Sequence, residues 1–393
     1  MIAHPHTAER PVEINKLTAD LGIYLHVPFC FKRCHFCAFY LVIHETQRVE
    51  QFLQALEHEI ALYAIQREMG RRTVSTVYVG GGTPTALLPG QLSRILTVIN
   101  SKFSLSEKCE ITVEATPESL TAEYVDILQQ AGVNRLSVGI QSFDQQERTR
   151  LGLSGTIAEV LSGVQMAKQS GFSNINVDLI YGIPGQSSQS WDRTLNQALE
   201  LNPSHFSCYA LSLEEGTRFH TEFRRGAFEL MDPDDEICFL HGAEACLERG
   251  GFHRYEISNW AKPDCACQHN LRYWRGLEYL GLGPSAQSYL SECRFGNISN
   301  VDQYAKQLKV GEVPIAEREC LSKLQQEKER IVFGLRLLEG VPIDWVHSLS
   351  QDEAWSRAFR KFVKEDYLLQ AGSRYRLTRK GRQFADTVGM QLL

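Results

Sequence analysis

Six short β-branched or aromatic runs, at residues 23–27, 76–80, 110–114, 135–140, 174–180 and 205–211, alternate with segments of helical period. This alternation constrains the chain most, because strands joined by helical crossovers must lie parallel. Phe52, Leu56, Ile60 and Tyr63 paint one apolar stripe on the first helix; Leu120, Tyr124, Leu128 and Ala131 repeat it ahead of Gly132, where a helix would stop. Thr156 with Glu159 makes a capping box, Gly171 closes that helix, and Asp232-Pro233 opens another. An open doubly wound sheet and a curved partial barrel both satisfy this pattern.

Past about residue 310 the texture changes. Helical segments at 323–338 and 352–364 precede 367–377, which reads as a hairpin around Gly372 and Ser373. That order is winged-helix-like, and a net charge of −6 favours a structural cap over DNA binding. At 393 residues one large domain plus a smaller one is expected, and no nucleic-acid partner. No apolar run approaches the roughly 18 residues of a membrane span. Residues 1–20 are polar and carry Glu9, Glu13 and Asp20, which fits neither a signal nor a transit peptide; a short extension on a cytoplasmic protein is expected. Eleven cysteines without an export signal argue against a disulfide framework, so close spacings point to metal or redox chemistry. Cys109, Cys208, Cys238, Cys246, Cys293 and Cys320 stand singly and are expected to be small buried hydrophobes.

Cys30, Cys34 and Cys37 follow the first strand directly, spaced C-x3-C-x2-C. Three thiolates on one tight loop can grip three corners of a [4Fe–4S] cubane and leave the fourth iron without a protein ligand. S-adenosylmethionine (SAM) can chelate that iron; an electron from the cluster then cleaves the sulfonium and releases a 5′-deoxyadenosyl radical. The competing reading is a structural zinc site with His26 or His35 as fourth ligand, but zinc ligands usually come as two pairs and no second pair lies close. After the second strand, Gly80-Gly81-Gly82-Thr83-Pro84-Thr85 lets backbone approach a ligand closely without being a phosphate loop or dinucleotide turn. Glu114 ends the third strand, Gln141 and Ser142 the fourth, and Asp178 lies in the fifth. Singly, Glu114 or Asp178 could be a satisfied buried carboxylate. Together with the cysteine loop they place functional groups at one end of successive strands, where βα barrels bind ligands, and so favour the barrel.

The cysteine loop, the Gly80–Thr85 turn, the segment 135–144 (RLSVGIQSFD) and the segment 178–185 (DLIYGIPG) resemble the HemN/HemW family of radical-SAM proteins, at least over residues 22–290. The resemblance implies an α/β fold: a (β/α)6 partial TIM barrel over 21–250, an extension over 251–310 and a smaller winged-helix-like domain over 311–393. It implies SAM contacts from Tyr24, Gly80, Gly81, Gly82, Thr83, Glu114, Gln141 and Asp178. One departure stands out. Leu153 occupies a position where the family usually carries an arginine that anchors the SAM carboxylate, so SAM affinity or turnover is in doubt. Arg148 and Arg150 are the nearby substitutes.

The family has two branches. Its oxygen-independent coproporphyrinogen III oxidases decarboxylate two propionates to form protoporphyrinogen IX in porphyrin biosynthesis, and have a fourth cysteine two residues after the third. Here that position is Phe39, and only 29 residues precede Cys30. Both features match the haem-chaperone branch, as does the pattern His269-Asn270-Leu271-Arg272-Tyr273-Trp274. The resemblance then implies haem held by His269 and delivered to a haem-requiring, respiratory-type protein. Any membrane contact would come through that partner, and dimerisation stays open. A neutral imidazole suits haem iron, with aromatic residues beside it for the macrocycle. The alternative for His269 is a polar loop position bonded to backbone. Cys265 and Cys267 could compete for the iron, bind another metal, or be plain reduced loop cysteines.

Overall fold

A computed structural model describes residues 20–66 and 69–393. The expected N-terminal extension (1–20) lies outside the described residues except for Asp20, which opens the first strand. Strands β1 (Asp20–Val27), β2 (Thr73–Gly81), β3 (Ser104–Ala115), β4 (Arg135–Gln141), β5 (Asn174–Tyr181) and β6 (His205–Ala210) lie side by side in chain order, all parallel. Helices α1 (Thr46–Gln66), α2 (Pro89–Lys102), α3 (Ala122–Gln130), α4 (Gln145–Leu151), α5 (Ile157–Gln169) and α6 (Ser188–Glu200) fill the crossovers. A doubly wound sheet reverses its strand order at a switch point. These six strands never reverse, which is the order of a partial barrel.

Local chemistry explains the element ends. Thr156 and Glu159 form the expected reciprocal cap of α5, and the Asp232 side chain accepts from Asp234 N–H at the start of a helix over Pro233–Arg249. Gly132 has φ +87°, the left-handed turn that ends α3. On β4, Leu136, Val138 and Ile140 are fully buried in the core, while Arg135, Ser137, Gly139 and Gln141 alternate with them and line the barrel interior.

The sheet extends beyond the six expected strands. β7 (Asn259–Ala261) runs antiparallel beside β6, while β8 (Tyr279–Leu282) lies parallel to β1 and continues into antiparallel β9 (Gln287–Leu290), β10 (Cys293–Asn297) and β11 (Ile315–Cys320). Residues 315–320, inside the expected C-terminal domain, thus belong to the large sheet. The cysteine expectation needs correcting here. Cys293 and Cys320 face each other across β10 and β11 and form a disulfide, and Cys238 is exposed; Cys109, Cys208 and Cys246 are buried. From Lys323 onward a second core gathers Leu335, Trp355, Phe359, Phe362 and Val388. A three-stranded antiparallel sheet completes it: Val341–Pro342, and the expected hairpin of Leu368–Ala371 and Arg374–Leu377.

Candidate functional site

The C-terminal ends of the parallel strands open into a cavity of about 1010 Å³. Cys30, Cys34 and Cys37 line its mouth on the loop after β1. That loop is tied down by backbone bonds from Val42 N–H to Pro28 O (2.7 Å), His44 N–H to Cys30 O (2.9 Å) and His35 N–H to Leu151 O (2.9 Å). Thr83 Oγ1 lies 3.2 Å from Cys30 Sγ. Burial pushes all three thiols up, Cys34 to about 12, and neighbouring cysteines add to the rise at Cys30 and Cys34. Three free thiols lining one cavity match, in number and chemistry, the donors a [4Fe–4S] cluster takes. The zinc alternative loses its fourth ligand. His26 Nε2–H donates to Tyr40 O (2.9 Å) and its Nδ1 meets the Tyr24 hydroxyl (3.2 Å); His35 Nδ1–H donates to Arg150 O (2.8 Å) and its Nε2 meets Arg218 Nη1 (3.0 Å).

The glycine turn makes its close approaches to protein. A Cβ on Gly80 would lie 2.9 Å from the Glu114 carboxylate, one on Gly81 2.7 Å from the His26 ring, and one on Gly82 2.8 Å from Phe29 O. Gly82 and Thr83 N–H groups donate to Val27 O and Phe29 O, both at 2.8 Å, so the turn clamps the cysteine loop. Gly81, Gly82 and Thr83 line the cavity; Gly80 sits behind them, making room for Glu114. Glu114 faces the cavity, accepting from Tyr78 O–H (2.9 Å) and Gly81 N–H (3.2 Å). Desolvation raises its pKa to about 7, and the Asp178 charge adds to the rise.

Gln141 and Asp178 line the same cavity. Gln141 has φ +68°, a left-handed conformation costing on the order of 1 kcal/mol for a residue with a Cβ, at a register shift that turns the chain out of β4. Asp178 accepts from Ser137 Oγ (3.1 Å) and Asn176 Nδ2 (2.8 Å), yet burial still lifts its pKa. Ser142 instead donates to buried Glu147 (2.5 Å), beneath the loop. Leu153 lines the cavity. Arg150 bonds Glu222 (2.8 Å) and stacks on Phe219 and Phe228, outside the lining, whereas buried Arg148 reaches the lining with its Nη groups on Ile140 O (2.6 Å) and Ser154 O (2.7 Å).

His269 lies deep in the cavity, on the helix Gln268–Trp274 rather than a polar loop, and is 1 % exposed. Its Nδ1 meets Thr76 Oγ1 (2.8 Å) and its Nε2 the Tyr273 hydroxyl (2.9 Å). Burial lowers its pKa to about 3, with Arg272 and Arg135 contributing, so the imidazole is neutral. Tyr78 stacks on it at 5.3 Å and Tyr24 lies 6.4 Å away. Cys267 is buried and donates to Glu110 (3.6 Å), and neither it nor Cys265 is in the lining.

The Radical SAM superfamily matches residues 24–198, and the HemN C-terminal domain matches residues 321–384. A protein named heme chaperone HemW from Mycobacterium tuberculosis (strain ATCC 25618 / H37Rv) is 35% identical over 98% of this chain and 99% of its own length. This chain belongs to the HemW family of radical-SAM proteins. Relatives of the same name in Bacillus subtilis (strain 168) and Escherichia coli (strain K12) are 34% and 35% identical, over 81% and 68% of this chain and 84% and 69% of theirs. Among solved structures, coproporphyrinogen III oxidase (HemN) from Escherichia coli has a TM-score of 0.84 at 24% identity, covering 95% of this chain and 89% of that one. At that identity it shows a shared fold, the α/β radical-SAM architecture. The cavity also contains residues the motifs did not single out: Tyr78, Ser137, Asn176, Ser207 and Arg135. The signal for them was the polar alternation along β2 to β6, a pattern a packed barrel interior would fill with branched apolar side chains.

Proposed function

We propose that this chain is a haem chaperone. It holds a [4Fe–4S] cluster on Cys30, Cys34 and Cys37 with SAM beside it, takes up haem through His269, and passes the haem to a haem-requiring protein of the respiratory kind. One observation carries the reading: the three cysteines after the first strand and a neutral imidazole from the extension past residue 250 line a single cavity. The relatives named as heme chaperones, matched over nearly the whole chain, support it. When bound, the cluster would supply the electron that cleaves SAM. Glu114, Gln141, Asp178 and the Gly81–Thr83 backbone would hold SAM, and Gly80 would keep the Glu114 carboxylate in place.

For His269 the useful tautomer donates Nδ1–H to Thr76 and presents the Nε2 lone pair, which the Tyr273 hydroxyl covers until it turns aside. Phe39, 68 % exposed at the cavity mouth, stands where the oxidase branch has a cysteine, which favours carriage over decarboxylation. The test is a haem titration of anaerobically reconstituted protein. His269→Ala should weaken haem binding at least tenfold while iron and sulfide content stay unchanged; equal affinity with an intact cluster would remove the assignment.

A further inference from the structure

The cavity reaches well below the strand ends that carry Glu114 and Gln141. Arg135, the first residue of β4, is six residues from Gln141, roughly 20 Å of strand at about 3.3 Å per residue. It is 1 % exposed and lines the cavity at its deep end, level with Thr112 and Asn174 on the neighbouring strands. Among the described residues no carboxylate comes within ion-pair distance of its guanidinium, and its Nε has no hydrogen-bond partner. Glu110, whose charge acts on Arg135, spends its oxygens on Gln268 N–H (3.1 Å), His269 N–H (3.1 Å) and the Cys267 thiol (3.6 Å). Tyr255, also beside it, is bonded to His205 Nε2 at 2.9 Å.

Glu110, Glu114 and Asp178 act on this guanidinium only from beyond ion-pair distance, and a buried guanidinium with no directly bonded partner keeps N–H donors free for a ligand that brings an acceptor. Arg135 differs in this from Arg148, whose Nη groups are taken by backbone carbonyls. It differs also from Arg254, which pairs with Glu244. Its neighbours on the lining narrow the ligand. His269, whose pKa Arg135 helps lower, and the flat rings of Tyr78 and Tyr273 stand at the same end. A planar ligand with a metal at its centre and carboxylates on its edge matches that set. From this arrangement we infer that Arg135 receives a carboxylate of the deep-end ligand, which on the haem reading, on which this inference rests, is a haem propionate. The bond is a charge-assisted one from guanidinium N–H to carboxylate oxygen, bidentate in its best geometry.

The test compares haem with haem dimethyl ester, whose propionates carry no charge, on anaerobically reconstituted unaltered protein and on Arg135→Gln and Arg135→Lys. Haem should bind the unaltered chain roughly tenfold to a hundredfold more tightly than the ester. Arg135→Gln should bring that ratio close to one, and Arg135→Lys should restore part of it. A residue that merely supports the barrel would weaken both ligands alike and leave the ratio unmoved, which would overturn the inference. So would equal binding of haem and ester by the unaltered chain, a comparison that needs no variant to fold. If the unaltered chain binds neither ligand, the haem reading itself falls and takes this inference with it; haem binding with an unmoved ratio removes the role of Arg135 alone.

Discussion

Leu153 faces the cavity where the family resemblance expects a cation, and the two arginines nearby are not equivalent to one. Arg150 is committed to Glu222, and the Nη groups of Arg148 to backbone carbonyls. Leu153→Arg should therefore tighten SAM binding about tenfold, the worth of one charge-assisted hydrogen bond, as read by equilibrium dialysis. An unchanged constant would mean that the carboxylate is already held elsewhere. His269 gives a pH prediction. Its folded pKa of about 3 lies below the ordinary value of 6.5, so between those values the unfolded chain binds the extra proton. Stability is then full above pH 6.5 and falls as pH drops. From pH 7 to pH 5 this one group should cost roughly 2 kcal/mol, and His269→Gln should flatten that limb of a urea-midpoint profile. Buried His205, lowered for the same reason, keeps part of the slope in that variant. At this scale the cysteine triplet drew attention by its spacing and Glu114 and Asp178 by their places on successive strands, whereas His269 was singled out only through the family resemblance. Arg135 was not, because one arginine at the head of an apolar strand looks like an exposed flank until the sheet closes around it.

The six strands and their caps were readable because each run is β-branched and each helix carries local signals such as the Thr156–Glu159 box. β7 to β11 were missed: they are three to six residues long, and the sequence of β11, Ile-Ala-Glu-Arg-Glu-Cys, has little apolar content. The Cys293–Cys320 bridge was hidden with them, since only strand pairing brings the two residues together. The glycine turn holds the cysteine loop, and that role can be tested. A methyl on Gly82 would press on the backbone of Pro28 and Phe29, and overpacking of this kind costs about 1–3 kcal/mol. Gly82→Ala should thus lower the iron retained after reconstitution to less than half, while Gly90→Ala, which meets open space, should retain it all. Full iron content in Gly82→Ala would show that the loop is held without the clamp.

At the scale of the molecule, the large core of the sheet and the C-terminal core are joined by a chain that leaves the sheet at Cys320 and enters the C-terminal core through the helix at Lys323–Leu335. The barrel interior is a ligand-sized space of about 1010 Å³, the upper end of the range for small-molecule sites, with polar groups set in a mostly apolar lining. On the proposed function, the cysteines at its mouth and His269 with Arg135 in its depth would make it one compartment for two ligands. If the chain carries haem to another protein, the rate of transfer depends on that protein. Reconstituted protein loaded with haem would be mixed under anaerobic conditions with rising concentrations of an apo-cytochrome of the respiratory type, and the acceptor's absorbance followed. A chaperone that meets its client predicts a rate that grows with acceptor concentration and exceeds loss of haem to apomyoglobin. A rate independent of acceptor, equal to spontaneous release, would show that haem leaves unaided and that the chain is not a chaperone.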